Sequence, residues 1–444
     1  MSGAGDGLSR HTFTGSGSID CKHPIGRECR IRLTQLVNGC IVVQLSMENV
    51  PNNLSKWLRQ CQSFDFTGTL DDGRHVMVKN INVVGQQIRS PFADVQVLEG
   101  FVRQPGYFDL ANPDGAELSF RKVICEVTDF PLHGHTGSVE VDVGQARIQF
   151  DPLHDHAETL RLTANLKTAG VLGRITVELK EQGSENQLDE LVGVLCGLLS
   201  LAQRSHVRYV SQEWNNIRGG IGRTRYQEPI FYYPMMTRPL IPAKSLAGFV
   251  QSSLETYERQ YATWNLVVAQ DHYIQALSLR SAWPQSVGFF TALETLKHAF
   301  LRQAGKGDLE CYLPKGEFKK KQIASQIKEL LRKNFEVFRS LSPDEAGSLS
   351  GKIGDLNRRA YKVILRKMFE ELNVRVRDDA LREIVQLRNQ IIHTGAPDYQ
   401  NDPSEAALQA SRVAGLVEKI MLLGILHYEG SFERYDKAFL PPCE

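Results

Sequence analysis

The chain has 444 residues, of which 42% are hydrophobic and 23% charged, and its 52 Lys and Arg nearly balance its 51 Asp and Glu. This length and composition indicate a globular protein of two or three domains. The eight cysteines are scattered without a C-x-x-C pair, which argues against a disulfide framework. The longest apolar run, LVGVLCGLLSLA, is too short to span a bilayer, and the N-terminus lacks an apolar signal segment. We therefore expect a cytoplasmic protein with no membrane partner.

The first 180 residues show a period of two. Short alternating runs such as CRIRLTQL, CIVVQLSM and RITVELK are separated by turn residues, and FDFTGTLDDGRHVMVKNINVV contains a hairpin signal at its Asp-Asp-Gly-Arg. Eight or more such segments are typical of an antiparallel β-sandwich or barrel. We predict a β-sandwich-like domain over residues 1–180, and no catalytic signature is assembled there.

Residues 181–244 are predicted to connect two domains. NQLDELVGVLCGLLSLAQR has a helical pattern, HVRYVSQEW that of a strand, and RGGIGRTRYQEPIFYYP that of a Gly- and Arg-rich loop. Arg223 and Arg225, next to Tyr226, give this loop the mixture of arginine and aromatic residues that binds single-stranded nucleic acids. An ordinary interdomain loop is the alternative.

Residues 245–444 are helical in period, which makes the predicted fold class α+β. Helices are expected at about 245–263, 265–280, 285–302, 319–333, 350–373, 378–393 and 404–429. Residues 186–444 hold 34 Lys and Arg against 29 Asp and Glu, a mild excess that permits a nucleic-acid partner. The basic stretch KGEFKKKQIASQIKELLRK contains Lys319, Lys320 and Lys321 as candidate RNA-binding residues, although solvated helix faces explain most such runs.

The segment LRNQIIHTGAP at 387–397 places charged and polar residues in an amphipathic helix. On a helical wheel, Arg388 lies in the middle of the apolar face that ends with Ile391 and Ile392. Asn389 and His393 are one turn apart on its flank, and Gly395 and Pro397 end the helix. Arg can stabilise the extra charge of a pentacoordinate phosphorane and His can transfer protons. A buried structural Arg with a C-terminal capping His is the alternative.

The RNQIIH sequence, near the end of an all-helical region, resembles the R-x4-6-H motif of HEPN ribonucleases. A β-rich first half carrying FTGTLDDGRHVMV before such a region is similar to the ApeA family of bacterial anti-phage defence proteins. The HEPN resemblance covers roughly residues 245–430, but its specific part is 388–393. The resemblance to ApeA rests on strand pattern and domain order.

The resemblance implies an α-helical HEPN domain that dimerises, or forms a higher even oligomer, so that two motifs build one ribonuclease site. Cleavage would need no metal or other cofactor, because the RNA 2′-hydroxyl is the nucleophile. By matching positions, Arg388 would stabilise the transition state, His393 would be the acid and base, and Asn389 would orient the substrate or the histidine. The substrate would be RNA, with tRNA one candidate, and a phage-derived trigger would act in abortive infection, with the β-rich half sensing it or restraining the nuclease.

Two further interpretations concern Glu294 and a possible metal site. Glu294, at the rim of the apolar face of its helix, can hold the guanidinium of Arg388, or can pair on the surface with Lys297 or His298. Two H-x-H turns, at 131–135 and 152–156, together with the segment CKHPIGREC, raise the question of zinc, but the spacing matches no standard site and we expect no metal.

The rival functions are a non-catalytic HEPN binding module and a ligand-binding β-sandwich with a helical dimerisation tail.

Overall fold

The computed structural model describes most residues of the chain. These are 9–20, 28–36, 39–48, 63–88, 95–102, 107–111, 120–128, 130, 138–153, 171–216, 221–227, 238–303, 305–313, 317–318, 321–394 and 403–433. The chain divides into two compact units, one of residues 1–254 with 430–433 and one of 255–429 with 434–444. The stretch TLRLTANL and the two H-x-H pairs, predicted above as a strand and as turns, lie outside the described residues.

Thirteen described strands of the first unit form one antiparallel sheet. The strands are β1 Ser9–Asp20, β2 Glu28–Leu36, β3 Ile41–Glu48, β4 Phe64–Leu70, β5 His75–Ile88, β6 Val95–Val102, β7 Tyr107–Ala111, β8 Phe120–Thr128, β9 Val139–Val143, β10 Ala146–Pro152, β11 Val171–Gly183, β12 Tyr209–Asn216 and β13 Ile221–Gln227. Their order is β4-β1-β2-β3-β6-β5-β7-β13-β12-β8-β11-β10-β9, with an additional pairing between β4 and β5. The predicted hairpin at Asp71–Arg74 joins β4 and β5 and is confirmed.

The additional pairing closes six strands, β1 to β6, into a ring. Their alternating apolar side chains, among them Leu33, Val43 and Phe66, are buried in one cluster. Gly17 on β1 stands opposite Gly68 on β4, and a Cβ atom at Gly17 would lie 2.1 Å from the carbonyl oxygen of Thr67. The two glycines therefore permit the close approach that closes the ring.

Two predictions for this unit need correction. The described strands belong to one continuous sheet, closed in part, and not to the two separate sheets of a sandwich. The predicted loop around Arg223 contains strand β13, which lies between β7 and β12 in the sheet. In β13 the buried residues Gly222, Thr224 and Tyr226 alternate with less buried neighbours. The glycines of this segment made the alternation hard to recognise in the sequence.

One helix covers part of this sheet. Helix α1, Glu185–Gln203, begins at Ser184, whose hydroxyl accepts a hydrogen bond from the backbone N–H of Gln187. Its apolar residues pack on β8 and β11. At its C-terminus, Arg204 adopts a left-handed conformation and donates hydrogen bonds to the carbonyl oxygens of Arg238 and Glu433, which attaches residues 430–433 to this unit.

The second unit is helical. The remaining described α-helices are α2 Leu246–Gln260, α3 Leu266–Ser278, α4 Ala282–Arg302, α5 Ile323–Asn334, α6 Pro343–Asp355, α7 Tyr361–Glu371, α8 Asp378–Thr394 and α9 Pro403–Lys419. The boundary between the two units lies within α2, and α9 continues into a π-helical turn, Ile420–Ile425. Helix α4 is central, since it packs against α3, α7 and α9. The α+β class is thus confirmed, since all described strands precede the described helices except that α1 lies between β11 and β12. No helix among the described residues has the length and apolarity that a membrane span requires.

The predicted helix at 350–373 is wrong, because α6 and α7 are separate. The side-chain amide of Asn357 donates a hydrogen bond of 2.8 Å to the carbonyl oxygen of Leu313 and accepts one of 2.9 Å from its backbone N–H. Arg358 also forms an isolated β-bridge with Cys311. These tertiary hydrogen bonds hold the chain extended where the apolar period alone predicts a continuous helix.

Candidate functional site

The candidate site lies in the second unit, where three helices contribute charged and aromatic side chains. Helix α4 buries Phe289, Leu293, Leu296 and Phe300, which leaves Glu294 at the edge of its apolar face. Helix α8 buries Leu381, Ile384 and Leu387. Tyr361 is the first residue of α7, which packs against both α4 and α8.

Arg388 is held by a carboxylate and by an aromatic ring. Its Nε donates a hydrogen bond of 2.9 Å to Oε1 of Glu294, and its Cζ lies 4.2 Å from the centroid of the Tyr361 ring. The Arg388 and Glu294 side chains are 25% and 24% exposed, so this ion pair is sheltered but still reached by solvent. The two residues that the sequence proposed as partners are therefore in contact.

Glu294 also binds a second cation. Its other carboxylate oxygen, Oε2, accepts a hydrogen bond from Nζ of Lys297 and lies 3.7 Å from Nε2 of His298. Burial alone would raise the pKa of Glu294, but the hydrogen bonds and charges of Lys297 and Arg388 outweigh it and lower the pKa below its usual value of 4.5. Both interpretations of Glu294, as the partner of Arg388 and as the partner of its helix neighbours, hold together.

The cluster formed by Glu294, Lys297, Tyr361 and Arg388 carries a net positive charge. Among the described residues, no second carboxylate lies within 4 Å of Lys297 or Arg388. Burial, reinforced by the charge of Lys297, lowers the pKa of His298, which favours its neutral form at neutral pH. Two cations facing one carboxylate make this place on the surface suited to an anion.

Tyr361 was missed by the sequence analysis. Its ring also lies 5.1 Å from Nζ of Lys297, and its hydroxyl oxygen is buried. Burial and the neighbouring carboxylate of Glu294 raise the pKa of Tyr361 far above its usual value, so this hydroxyl stays protonated. Nothing in the local pattern of residues around Tyr361 signals the contact, because it depends on how α7 and α8 pack.

The motif residues of α8 differ in exposure. Asn389 and His393 are exposed, and His393 makes no hydrogen bond or ion pair with the described part of the chain. At the end of the apolar face of α8, Ile392 is 56% exposed. Residues five apart on an α-helix point about 140° away from each other, so Arg388 and His393 of one helix face different sides.

The predicted RNA-binding arginines are engaged in ion pairs in the first unit. Arg223 is hydrogen-bonded to the carboxylates of Asp109 and Glu185, and Arg225 donates a hydrogen bond of 2.9 Å to Asp109. Both guanidinium groups also lie within 6 Å of the ring centroid of buried Trp214. These contacts favour a structural role for the two arginines, and RNA binding by them stays a prediction.

The other predicted sites are less defined. Lys319 and Lys320 lie outside the described residues, and Lys321 is exposed with its Nζ 3.9 Å from Glu317. Of the CKHPIGREC segment, the described Cys29 is buried in the core of the strand ring. Within the described residues no group of three or more His, Cys, Asp and Glu side chains could hold a metal ion.

The chain matches no protein-family model, no curated protein and no solved structure. The resemblance to HEPN and ApeA proteins therefore rests on the residues quoted above, and the contacts around Arg388 are the geometry from which a function can be argued.

Proposed function

We propose that the protein is a metal-independent endoribonuclease in which Arg388 and His393 act on one phosphodiester. The observation that carries the proposal is the position of Arg388, whose Nε donates a hydrogen bond to Glu294 and whose Cζ lies 4.2 Å from the centroid of the Tyr361 ring. Its hydrogen bond to Glu294 uses Nε and not the two Nη atoms, and the surrounding cluster is positively charged. An arginine held in this way is suited to binding a phosphate through both Nη atoms.

The chemistry requires one anion stabiliser and groups that move protons. The RNA 2′-hydroxyl attacks phosphorus, its proton passes to a base, and the phosphorus–O5′ bond breaks as O5′ receives a proton. The products are a 2′,3′-cyclic phosphate and a 5′-hydroxyl. Arg388 would stabilise the charge of the phosphorane, while exposed His393 would transfer a proton and Asn389 would orient it or the substrate.

A second copy of the chain would complete the site. Because Arg388 and His393 face different sides of α8, a phosphate bound to Arg388 is more readily reached by His393 of another protomer. Such an interface would bury Ile392, a large apolar residue that is exposed on the same helix. The proposed assembly is a homodimer, or a higher even oligomer, built around the two α8 helices.

Mixing two inactive variants tests this arrangement. Arg388→Ala and His393→Ala should each abolish cleavage. Mixing them in equal amounts should restore about a quarter of the wild-type activity, because about half the dimers are then mixed and a mixed dimer has one intact Arg388–His393 pair where a wild-type dimer has two. Each variant alone must melt and assemble as the wild type does. If the mixture stays inactive although subunits exchange, the site is not shared between protomers.

The biological setting follows from the resemblance to anti-phage proteins. We infer that the activity serves abortive infection, that its substrate is RNA such as tRNA, and that the first unit responds to a phage-derived trigger. Strains carrying the wild type or the His393→Ala variant should differ in survival of phage infection. Equal survival at equal protein levels would remove the defence role.

A second candidate is a non-catalytic binding module. The observation in its favour is that Glu294 already compensates the charge of Arg388. In that case Arg388→Ala destabilises the protein, whereas His393→Ala changes neither stability nor phenotype. The responses of the two variants to the same assays therefore distinguish the candidates.

A further inference from the structure

The proposed reaction assigns no role to the Tyr361 ring, although the ring is part of the cluster. The ring lies 4.2 Å from Cζ of Arg388 and 5.1 Å from Nζ of Lys297. Tyr361 is the first residue of α7, whereas the charged residues belong to α4 and α8. An aromatic face attracts cations through its quadrupole, and a guanidinium also stacks on it through its own plane. Tyr361 thus contacts the one arginine on which the proposed function depends.

The contacts of Arg388 restrict its guanidinium in two independent ways. The hydrogen bond from Nε to Oε1 of Glu294 fixes one edge but permits rotation of the plane about that bond. The Tyr361 ring restricts that rotation. Because Glu294 takes the Nε–H and the ring lies 4.2 Å from Cζ, the N–H groups of the two Nη atoms are the donors that a phosphate would use, and such a pair of donors suits bidentate binding.

We propose that Tyr361 is a positioning residue that fixes the plane of Arg388 for binding a phosphate-type anion. The inference deepens the proposed function and rests on it for the identity of the reaction, but anion binding can be measured without cleavage. The aromatic ring carries the role. The hydroxyl oxygen is buried, and the proposal assigns it no role.

The proposal predicts different results for two substitutions. Tyr361→Phe keeps the ring and should behave as the wild type, whereas Tyr361→Leu keeps an apolar side chain but removes the aromatic face. Tyr312→Leu is a matched control, because the 57% exposed Tyr312 has Arg359 at 5.3 Å from its ring centroid in the same unit.

The first readout is the Nε–H resonance of Arg388 in NMR spectra, assigned by its absence in Arg388→Lys. A proton over an aromatic ring is shifted by the ring current, so the resonance should move in Tyr361→Leu and stay in place in Tyr361→Phe and Tyr312→Leu. Titration with inorganic phosphate, followed at this resonance, should give a Kd roughly tenfold weaker in Tyr361→Leu alone. A purely structural role for Tyr361 would lower the melting temperature and leave the phosphate Kd unchanged.

The second readout is single-turnover cleavage of RNA at saturating enzyme. Tyr361→Leu should lower the rate constant by roughly tenfold or more, with Tyr361→Phe unchanged. Equal phosphate affinity in Tyr361→Leu and the wild type, or an equal loss in Tyr361→Phe, would overturn the positioning role. If the phosphate Kd is weakened in Tyr361→Leu alone, as predicted, but the wild type cleaves no RNA, the proposed function is overturned and the positioning role stands.

Discussion

Glu294 connects the two cations of the cluster, and replacing it by glutamine tests whether the cluster is held as described. In the wild type each carboxylate oxygen accepts a hydrogen bond from a charged donor, one from Arg388 and one from Lys297. Glutamine keeps one acceptor oxygen and turns an N–H group towards the other cation. A hydrogen bond to a charged group contributes about 1.5–3 kcal/mol, and partial exposure places this loss near the lower end, at about 2 kcal/mol.

The assay is thermal unfolding of the full chain, followed by circular dichroism at the helix signal. A loss of about 2 kcal/mol corresponds to a decrease in Tm of roughly 4–8 °C for a unit of this size. Glu329→Gln, at an exposed position on α5, is the control and should leave Tm unchanged. If Glu294→Gln melts within about 1 °C of the wild type, Glu294 does not hold Arg388 and Lys297 together.

The same pair of proteins gives a test in pH. The folded-state pKa of Glu294 lies below its usual value of 4.5, so the ionised carboxylate stabilises the folded state above pH 4.5, and this contribution is lost as pH falls through the folded pKa. The difference in Tm between the wild type and Glu294→Gln should therefore be full at neutral pH and shrink below 4.5. A difference that is constant across this range would contradict the assignment of the lowered pKa to the two cations.

Three further predictions concern other parts of the molecule. Arg225→Met leaves the 4% exposed carboxylate of Asp109 with one cation fewer, and should destabilise the protein by about 3 kcal/mol in chemical unfolding while RNA affinity in gel-shift assays is unchanged. Gly17→Ala places a Cβ atom 2.1 Å from the Thr67 carbonyl oxygen and should prevent the ring of strands from closing, which would be seen as loss of cooperative thermal unfolding. Gly73→Ala, at an open turn position, should lower the free energy of unfolding by only about 1 kcal/mol. Lys321→Gln should weaken RNA binding and lower its salt dependence by about one ion, and an unchanged slope would remove Lys321 from the RNA-binding surface.

The sequence predicted the secondary structure best where the period was unbroken. The alternation around Asp71–Arg74 identified the hairpin of β4 and β5, and the apolar spacing from Phe289 to Phe300 identified α4. Strand β13 was missed because two of its seven residues lie at the Gly-rich start of the segment. The division of α6 from α7 was missed because it depends on hydrogen bonds between Asn357 and Leu313, which is distant in the sequence. The closure of six strands into a ring depends on the β4–β5 and β1–β4 pairings together, and no local pattern specifies that combination.

The candidate site was predictable in part for the same reason. Arg388 stood out because an arginine on an apolar face needs a partner, and the position of Glu294 at the rim of α4 identified that partner. The role of Tyr361 as a platform could not be derived, since a tyrosine at the start of a helix is unremarkable until the packing of α7 against α8 is known.

The most direct test of the account is cleavage of RNA by the purified wild type, Arg388→Ala and His393→Ala proteins in the presence of EDTA, with the product ends analysed. The account predicts cleavage by the wild type that leaves 2′,3′-cyclic phosphate and 5′-hydroxyl ends and that is lost in both variants while their melting temperatures and dimerisation show folded protein. Cleavage that stops in EDTA, that leaves 5′-phosphate ends, or that persists in His393→Ala would contradict it.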